Sequence, residues 1–149
     1  MLSLQQISDR LEIQDLVAAY SAAVDSSDWD GLDAVFTPDA IIDYTEVGGP
    51  RGDLSTIKAY LARVMPEFKS FQHMTGPTQL TIRNDGATGR TIVFNPIVFS
   101  QGENEHVLFV GLWYCDTFVR VENGWRIRER REERCYMHNM PGWFVQQPA

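Results

Sequence analysis

Two hairpin turns fix most of what the second half of this chain can become. Asn84-Asp85-Gly86 and Glu122-Asn123-Gly124 set glycine after aspartate or asparagine, residues that tolerate the positive φ of tight hairpins. Around them lie four strand-like segments, about 72–83, 88–100, 106–121 and 125–137, rich in β-branched and aromatic residues. Strands joined by such turns pair antiparallel. Asn95-Pro96 interrupts the second segment. Proline has no N–H to give a ladder, so a bulge or an edge is expected there.

The first half reads as helical. Leu4, Ile7, Leu11, Leu16, Val17, Tyr20 and Val24 recur at helical spacing, which predicts an amphipathic helix from about 4 to 25. Ser26-Ser27-Asp28 stops it and caps a short second helix over 29–36. Thr37-Pro38-Asp39 is a turn, 40–44 a short strand and 48–52 a loop. A third helix is expected over about 54–68, with Ile57, Tyr60, Leu61, Val64 and Met65 facing inward. Helices followed by long antiparallel strands give an α+β fold with the sheet curled around the helices. With no repeat and no linker, 149 residues form one domain, 1–149.

Composition narrows the function. A net charge of −7 argues against nucleic acid or an anionic membrane as partner, and favours a small, neutral, partly apolar ligand. The N-terminus lacks a basic region followed by an apolar run, and no segment has the apolar length of a membrane span. Cys115 and Cys135 sit in strand-like segments and read as reduced and buried, in keeping with a cytoplasmic protein. The histidines and cysteines have no metal-ligand spacing. There is no phosphate loop, nucleophile elbow or dinucleotide fingerprint. A reaction without cofactor or metal is the economical expectation.

Two residues far apart in sequence stand in unusual settings. Asp25 ends the first helix, where the backbone's partial negative charge disfavours a carboxylate unless a donor meets it. Its alternative role is to accept from the Ser26 and Ser27 amides in a local turn. His73 stands among neutral and apolar neighbours in Phe71-Gln72-His73-Met74-Thr75-Gly76. Brought together, the pair would make an acid/base dyad. Tyr20, one turn and a bit before Asp25, can face the same cavity. Tyr44 shares a strand face with Ile42. Arg126, Arg128, Arg130, Glu132 and Arg134 alternate with Ile127, Glu129, Arg131, Glu133 and Cys135. That strand is charged on both faces and reads as a salt-bridged outer surface, with Arg130 the arginine chosen to reach a pocket.

The run Tyr20-Ser-Ala-Ala-Val-Asp25-Ser-Ser-Asp-Trp-Asp30-Gly-Leu, with the order of elements, resembles the SnoaL-like branch of the nuclear-transport-factor-2-like superfamily. That resemblance covers nearly the whole chain. It implies a cystatin-like cone, with three N-terminal helices packed in a strongly bent antiparallel sheet that encloses a pocket. Asp25-Ser-Ser-Asp28-Trp29-Asp30, Ile42-Asp43-Tyr44, Gln72-His73 followed by Gly76, and Gly124-Trp125 look most like scytalone dehydratase. Hexachlorocyclohexane dehydrochlorinase is similar in the aspartate and histidine at Asp25 and His73. In both families the two act as a dyad in an elimination. A second histidine and a serine–asparagine pair of the dehydratase have no match here, and the dehydrochlorinase lysine is Tyr20.

The resemblance implies a dehydratase-like lyase acting on a small cyclic or aromatic hydroxy-ketone, with Asp25, His73, Tyr44 and Tyr20 as catalytic residues. Trp29, Phe71, Met74, Phe94, Asn95, Trp113 and Arg130 are the expected substrate-binding residues, chosen by element placement. A ketosteroid-isomerase-like proton shuttle is the rival reaction. Its oxyanion tyrosine falls at Tyr20, but its catalytic aspartate would fall near Tyr44. A binding module without chemistry is the other alternative, since one fold hosts many functions. Self-association through the sheet is expected, as a trimer before a dimer.

Overall fold

A computed structural model describes residues 1–145. Helix α1 spans Leu4–Asp25 and begins in a capping box, with Ser3 accepting from the Gln6 amide while the Gln6 side chain returns to the Ser3 amide. A 3-10 turn, Asp30–Ala34, precedes strand β1, Phe36–Asp43. The expected second α-helix is therefore a single tight turn, and the strand starts four residues earlier than the sequence suggested. Pro38 lies within β1 where the strand is exposed, so the missing donor is tolerated. Strand β2, Arg51–Asp53, pairs with β1 and leads into α2, Leu54–Val64, capped by Asp53 accepting from the Thr56 amide. A 3-10 turn, Met65–Glu67, replaces the last turn of the expected third helix, as Pro66 dictates.

The remaining chain is β3 (Ser70–Phe71), β4 (Met74–Arg83), β5 (Gly86–Gln101), β6 (Asn104–Val121), β7 (Gly124–His138) and a closing turn of helix, α3 (Gly142–Val145). The sheet runs β2-β1-β7-β6-β5-β3, with β4 also on β5. It is mixed rather than purely antiparallel, because β1 lies parallel to β7. The predicted turns close the β4–β5 and β6–β7 hairpins, and β5 pairs with β6 without a register break from Gly86↔Val119 to Gln101↔Asn104. Pro96 thus sits neither on a bulge of that ladder nor on an edge. It faces the gap where the neighbour of β5 changes from β4 to β3, with Phe71 opposite Ile97 and Met74 opposite Phe94.

Helix α1 lies across β4 and β7, and α2 across β1 and β2. The core face of α1 is Ile13, Leu16, Val17, Tyr20 and Val24. Leu4, Ile7 and Leu11 stay exposed. At 100° per residue they fall on roughly the opposite side of the helix, so α1 carries two apolar stripes and not the single one inferred. Among the described residues no helix is long and apolar enough to cross a membrane.

Strand β7 departs most from its sequence pattern. Arg128 and Cys135 are skipped in its register with β6, and each extra residue reverses the side-chain alternation. Trp125 and Ile127 point inward before the first skip, and Arg130 and Glu132 after it. The outer face keeps the expected ion pairs, Arg131 to Glu46 and Glu133, and Arg90 to Glu133. Both cysteines are free thiols, Cys115 half-buried and Cys135 exposed at its bulge, so neither is the buried thiol expected.

Candidate active site

The break between β3 and β4 makes the dyad. Gln72 gives its amide to the Pro96 carbonyl at 3.3 Å, and His73 falls outside either strand. Its backbone N–H is therefore spare, and it donates to Asp25 Oδ2 at 3.0 Å. The ring Nδ1 lies 2.6 Å from Asp25 Oδ1. The carboxylate that a helix C-terminus disfavours is held by two donors from one residue. The local turn alternative goes unused, since Ser26 and Ser27 give their amides to Ala22 and Val24 carbonyls.

A carboxylate against Nδ1 requires the proton there, which leaves the lone pair on Nε2. Asn95 Nδ2 donates to Nε2 at 3.0 Å, consistent with a neutral imidazole. Asn95 Oδ1 is buried and has no hydrogen-bond partner among the described residues. Such an orphaned acceptor suits a hydroxyl brought in by a ligand.

His73 and Asn95 form part of the wall of a cavity of about 80 Å³, room for several waters. Most of the wall is apolar, including Val24, Leu61, Phe68, Leu112, Met137 and Phe144. Tyr20, Tyr44, Tyr60 and Glu132 supply its other polar groups. The Tyr20 and Tyr44 hydroxyls form a short hydrogen bond. Tyr20 Oη donates to Glu132 Oε1 at 3.5 Å.

Burial governs the charge states here. Desolvation, reinforced by Tyr44 beside Tyr20 and by Glu132 beside Tyr44, holds both phenols well above their ordinary range. They stay neutral donors. Desolvation also lifts Glu132 from 4.5 to about 7, although Arg130 pulls the other way. Arg130 itself is wholly buried. Burial opposes its charge, but Asp116 more than offsets this through bonds from Nε and Nη2 at 2.7 Å each. Its guanidinium lies 4.1 Å from the Tyr20 ring centroid and 3.9 Å from that of Tyr114, so it supports Tyr20 from behind by cation–π contact.

The structure brings together Asp25, His73, Tyr20, Tyr44 and Asn95. It does not bring the other six expected substrate contacts to the cavity. On β5 the inward residues are Thr91, Val93, Asn95, Ile97 and Phe99, so Phe94 points outward. On β6 the inward set is Leu108, Val110, Leu112, Tyr114, Asp116 and Phe118, so Trp113 points outward, beneath the Arg90 guanidinium. Met74 pairs with Phe94 on that outer face and is exposed. Trp29 and Phe71 pack half-buried at the rim of the core, outside the cavity. Arg130 is spent on Asp116 and lies behind the wall.

Glu132 is the site residue that sequence reasoning missed, because an unbroken alternation put it among the outer charges. The skip at Arg128 reverses the parity set by Trp125 and Ile127 and turns Glu132 inward, and nothing local in the sequence signals it.

Comparison with known proteins gives the same frame. A protein of Mycobacterium tuberculosis is 49% identical over 140 residues, 94% of this chain and 95% of its own. A candidate scytalone dehydratase from Novosphingobium aromaticivorans superposes with a TM-score of 0.78 at 17% identity, over 91% of this chain and 89% of its own. Hexachlorocyclohexane dehydrochlorinase LinA-type3 from Novosphingobium barchaimii does so with a TM-score of 0.78 at 18% identity, over 93% and 94%. At such identities these two likenesses are of fold. The SnoaL-like domain model matches residues 5–131, and on that match and this architecture the chain belongs to the SnoaL-like domain family.

Proposed function

We propose that this protein is a cofactor-independent carbon–oxygen lyase that eliminates water from a small cyclic or aromatic hydroxy-ketone. One observation carries the reading: His73 is clamped by Asp25 at 2.6 Å on the wall of an apolar cavity that also holds two neutral phenols. His73 Nε2 takes the proton alpha to the carbonyl, and the C–H electron pair becomes the new double bond as charge moves to oxygen. Tyr44, backed by Tyr20, donates to that oxygen, as a preorganised donor does for developing charge. The enolate then expels the β-hydroxyl, which leaves as water with the proton from His73. Asp25 fixes the tautomer and stabilises the imidazolium between the two steps. Proton transfer of this kind contributes roughly 10²–10⁴ in rate, and positioning in the cavity contributes the remainder.

The test is a screen of cyclic β-hydroxy-ketones for the absorbance of the conjugated product. Wild type should turn over at least one. His73→Ala and His73→Gln should fold and bind but not turn over, and Asp25→Asn should lose most activity. Tyr44→Phe should lose less, since it removes one hydrogen bond to developing charge. Full activity in His73→Ala would sink the proposal, as would binding across the screen without elimination.

The same reading includes self-association, a trimer before a dimer, through the outer face of the sheet. The cross-strand row Met74, Phe94, Gly111, Tyr136 leaves its three large side chains exposed, with Ile92 beside them. Light scattering that reports a monomer at micromolar concentration would contradict it.

A further inference from the structure

Glu132 takes no part in the elimination as written, yet it lines the same cavity and touches the phenol on which the carbonyl donor leans. Its Oε1 lies 3.5 Å from Tyr20 Oη, and Tyr20 Oη meets Tyr44 Oη in a short contact in which either can donate. Each hydroxyl has one proton, so the three groups form a chain that must run in one sense at a time. With Glu132 ionised, Tyr44 donates to Tyr20 and Tyr20 to Glu132, and Tyr44 turns only a lone pair to the cavity. With Glu132 protonated, Glu132 donates to Tyr20 and Tyr20 to Tyr44, and the Tyr44 O–H is free for a ligand.

We propose that Tyr44 is the carbonyl-binding end of the cavity, and that the proton on Glu132 sets whether the Tyr20–Tyr44 chain presents a donor or an acceptor there. The ligand class follows: a neutral ring ketone is received while Glu132 carries its proton and is turned away once it does not. This rests on the reading of the cavity as a carbonyl site.

The surroundings support a mobile proton at Glu132. On its own strand Arg130 is neutralised by Asp116 of β6 through two 2.7 Å bonds. Tyr20 of α1, Tyr44 beyond β1, Tyr60 of α2 and Tyr114 of β6 all face this buried carboxyl and are all held protonated by burial. His73 stands on the wall of the same cavity. Burial brings Glu132 to about 7, so the chain reverses near neutrality.

The probe is 1-indanone, a neutral aromatic ketone with no titration of its own, followed by ligand-observed NMR on either side of the Glu132 titration. Wild type should bind it roughly three- to tenfold more weakly at the higher pH, the worth of one net hydrogen bond. Glu132→Gln cannot titrate and should show no such fall. Tyr44→Phe should bind at low pH as weakly as wild type does at high pH, and this series decides the matter should Glu132→Gln not fold. A fall retained in Glu132→Gln places the titration elsewhere and overturns the proposal. So does Tyr44→Phe binding like wild type at low pH, or a wild type that binds indanone equally at both pH values or at neither. Binding that follows the predicted pattern in a protein that turns over no hydroxy-ketone would leave this inference standing and the lyase reading refuted.

Discussion

Asp116→Ala isolates the buried ion pair behind the tyrosines. Both side chains are 0% exposed, and two 2.7 Å bonds join them. Arg130 Nη1 already has no hydrogen-bond partner among the described residues, so the variant buries a guanidinium that keeps the rings of Tyr20, Tyr114 and Phe36 beside it but loses its ion-pair partner. Removing one member of such a pair costs about 3–5 kcal/mol. For a chain of this length that is a fall in Tm of roughly 6–20 °C. Urea unfolding followed by tryptophan fluorescence reads it. The double variant Asp116→Leu with Arg130→Met takes both charges out of the core and should recover most of the loss, since well-packed apolar replacements of buried pairs are often neutral. Two results refute the reasoning: a loss below about 1 kcal/mol in Asp116→Ala, or a double variant no more stable than the single one.

Glu132 predicts the direction of a pH effect on stability. Its folded-state value of about 7 lies above its ordinary 4.5, so the folded protein holds that proton more tightly. The contribution is whole below about 4.5, is lost as pH rises to about 7, and amounts to roughly 3 kcal/mol. Tm measured across that window should fall in wild type relative to Glu132→Gln, and parallel curves would contradict it. Gly48 has φ +91, and a Cβ there would lie 2.5 Å from Phe144 Cε1. Gly48→Ala should therefore cost about 1–2 kcal/mol and loosen Phe144 from the cavity, visible in its ring NMR signals. An alanine variant as stable as wild type would show the backbone relaxing elsewhere.

How far the sequence was legible depends on how local the signal was. The β4–β5 and β6–β7 hairpins followed from glycine after aspartate or asparagine, and helix α1 followed from spacing alone. Asp25 and His73 were legible because each was locally uncomfortable, an acid at a helix C-terminus and an imidazole without a neighbouring acid. What was lost was parity. Phe94 and Trp113 were assigned to the cavity by the placement of their elements, although Val93, Asn95, Leu112 and Tyr114 take the inward positions. Strict alternation could have excluded both. Alternation could not have placed Glu132, because the bulges at Arg128 and Cys135 leave no mark in a run of charged residues. The parallel β1–β7 pairing is equally silent, since it joins segments with most of the chain between them. Leu4, Ile7 and Leu11 fit a helix but not the buried side of this one, a distinction that needed phase as well as period.

The central claim is that His73, held by Asp25, removes a proton alpha to a carbonyl within this cavity. Exchange of the alpha-protons of 1-indanone in deuterated buffer tests that step without needing a leaving group or the native substrate, and proton NMR follows the loss of signal directly. Wild-type protein should accelerate the exchange well above buffer. His73→Ala should reduce it to the buffer rate, and Asp25→Asn should come close to that level. Exchange that persists undiminished in His73→Ala, or that wild type does not accelerate although indanone binds, would contradict the account.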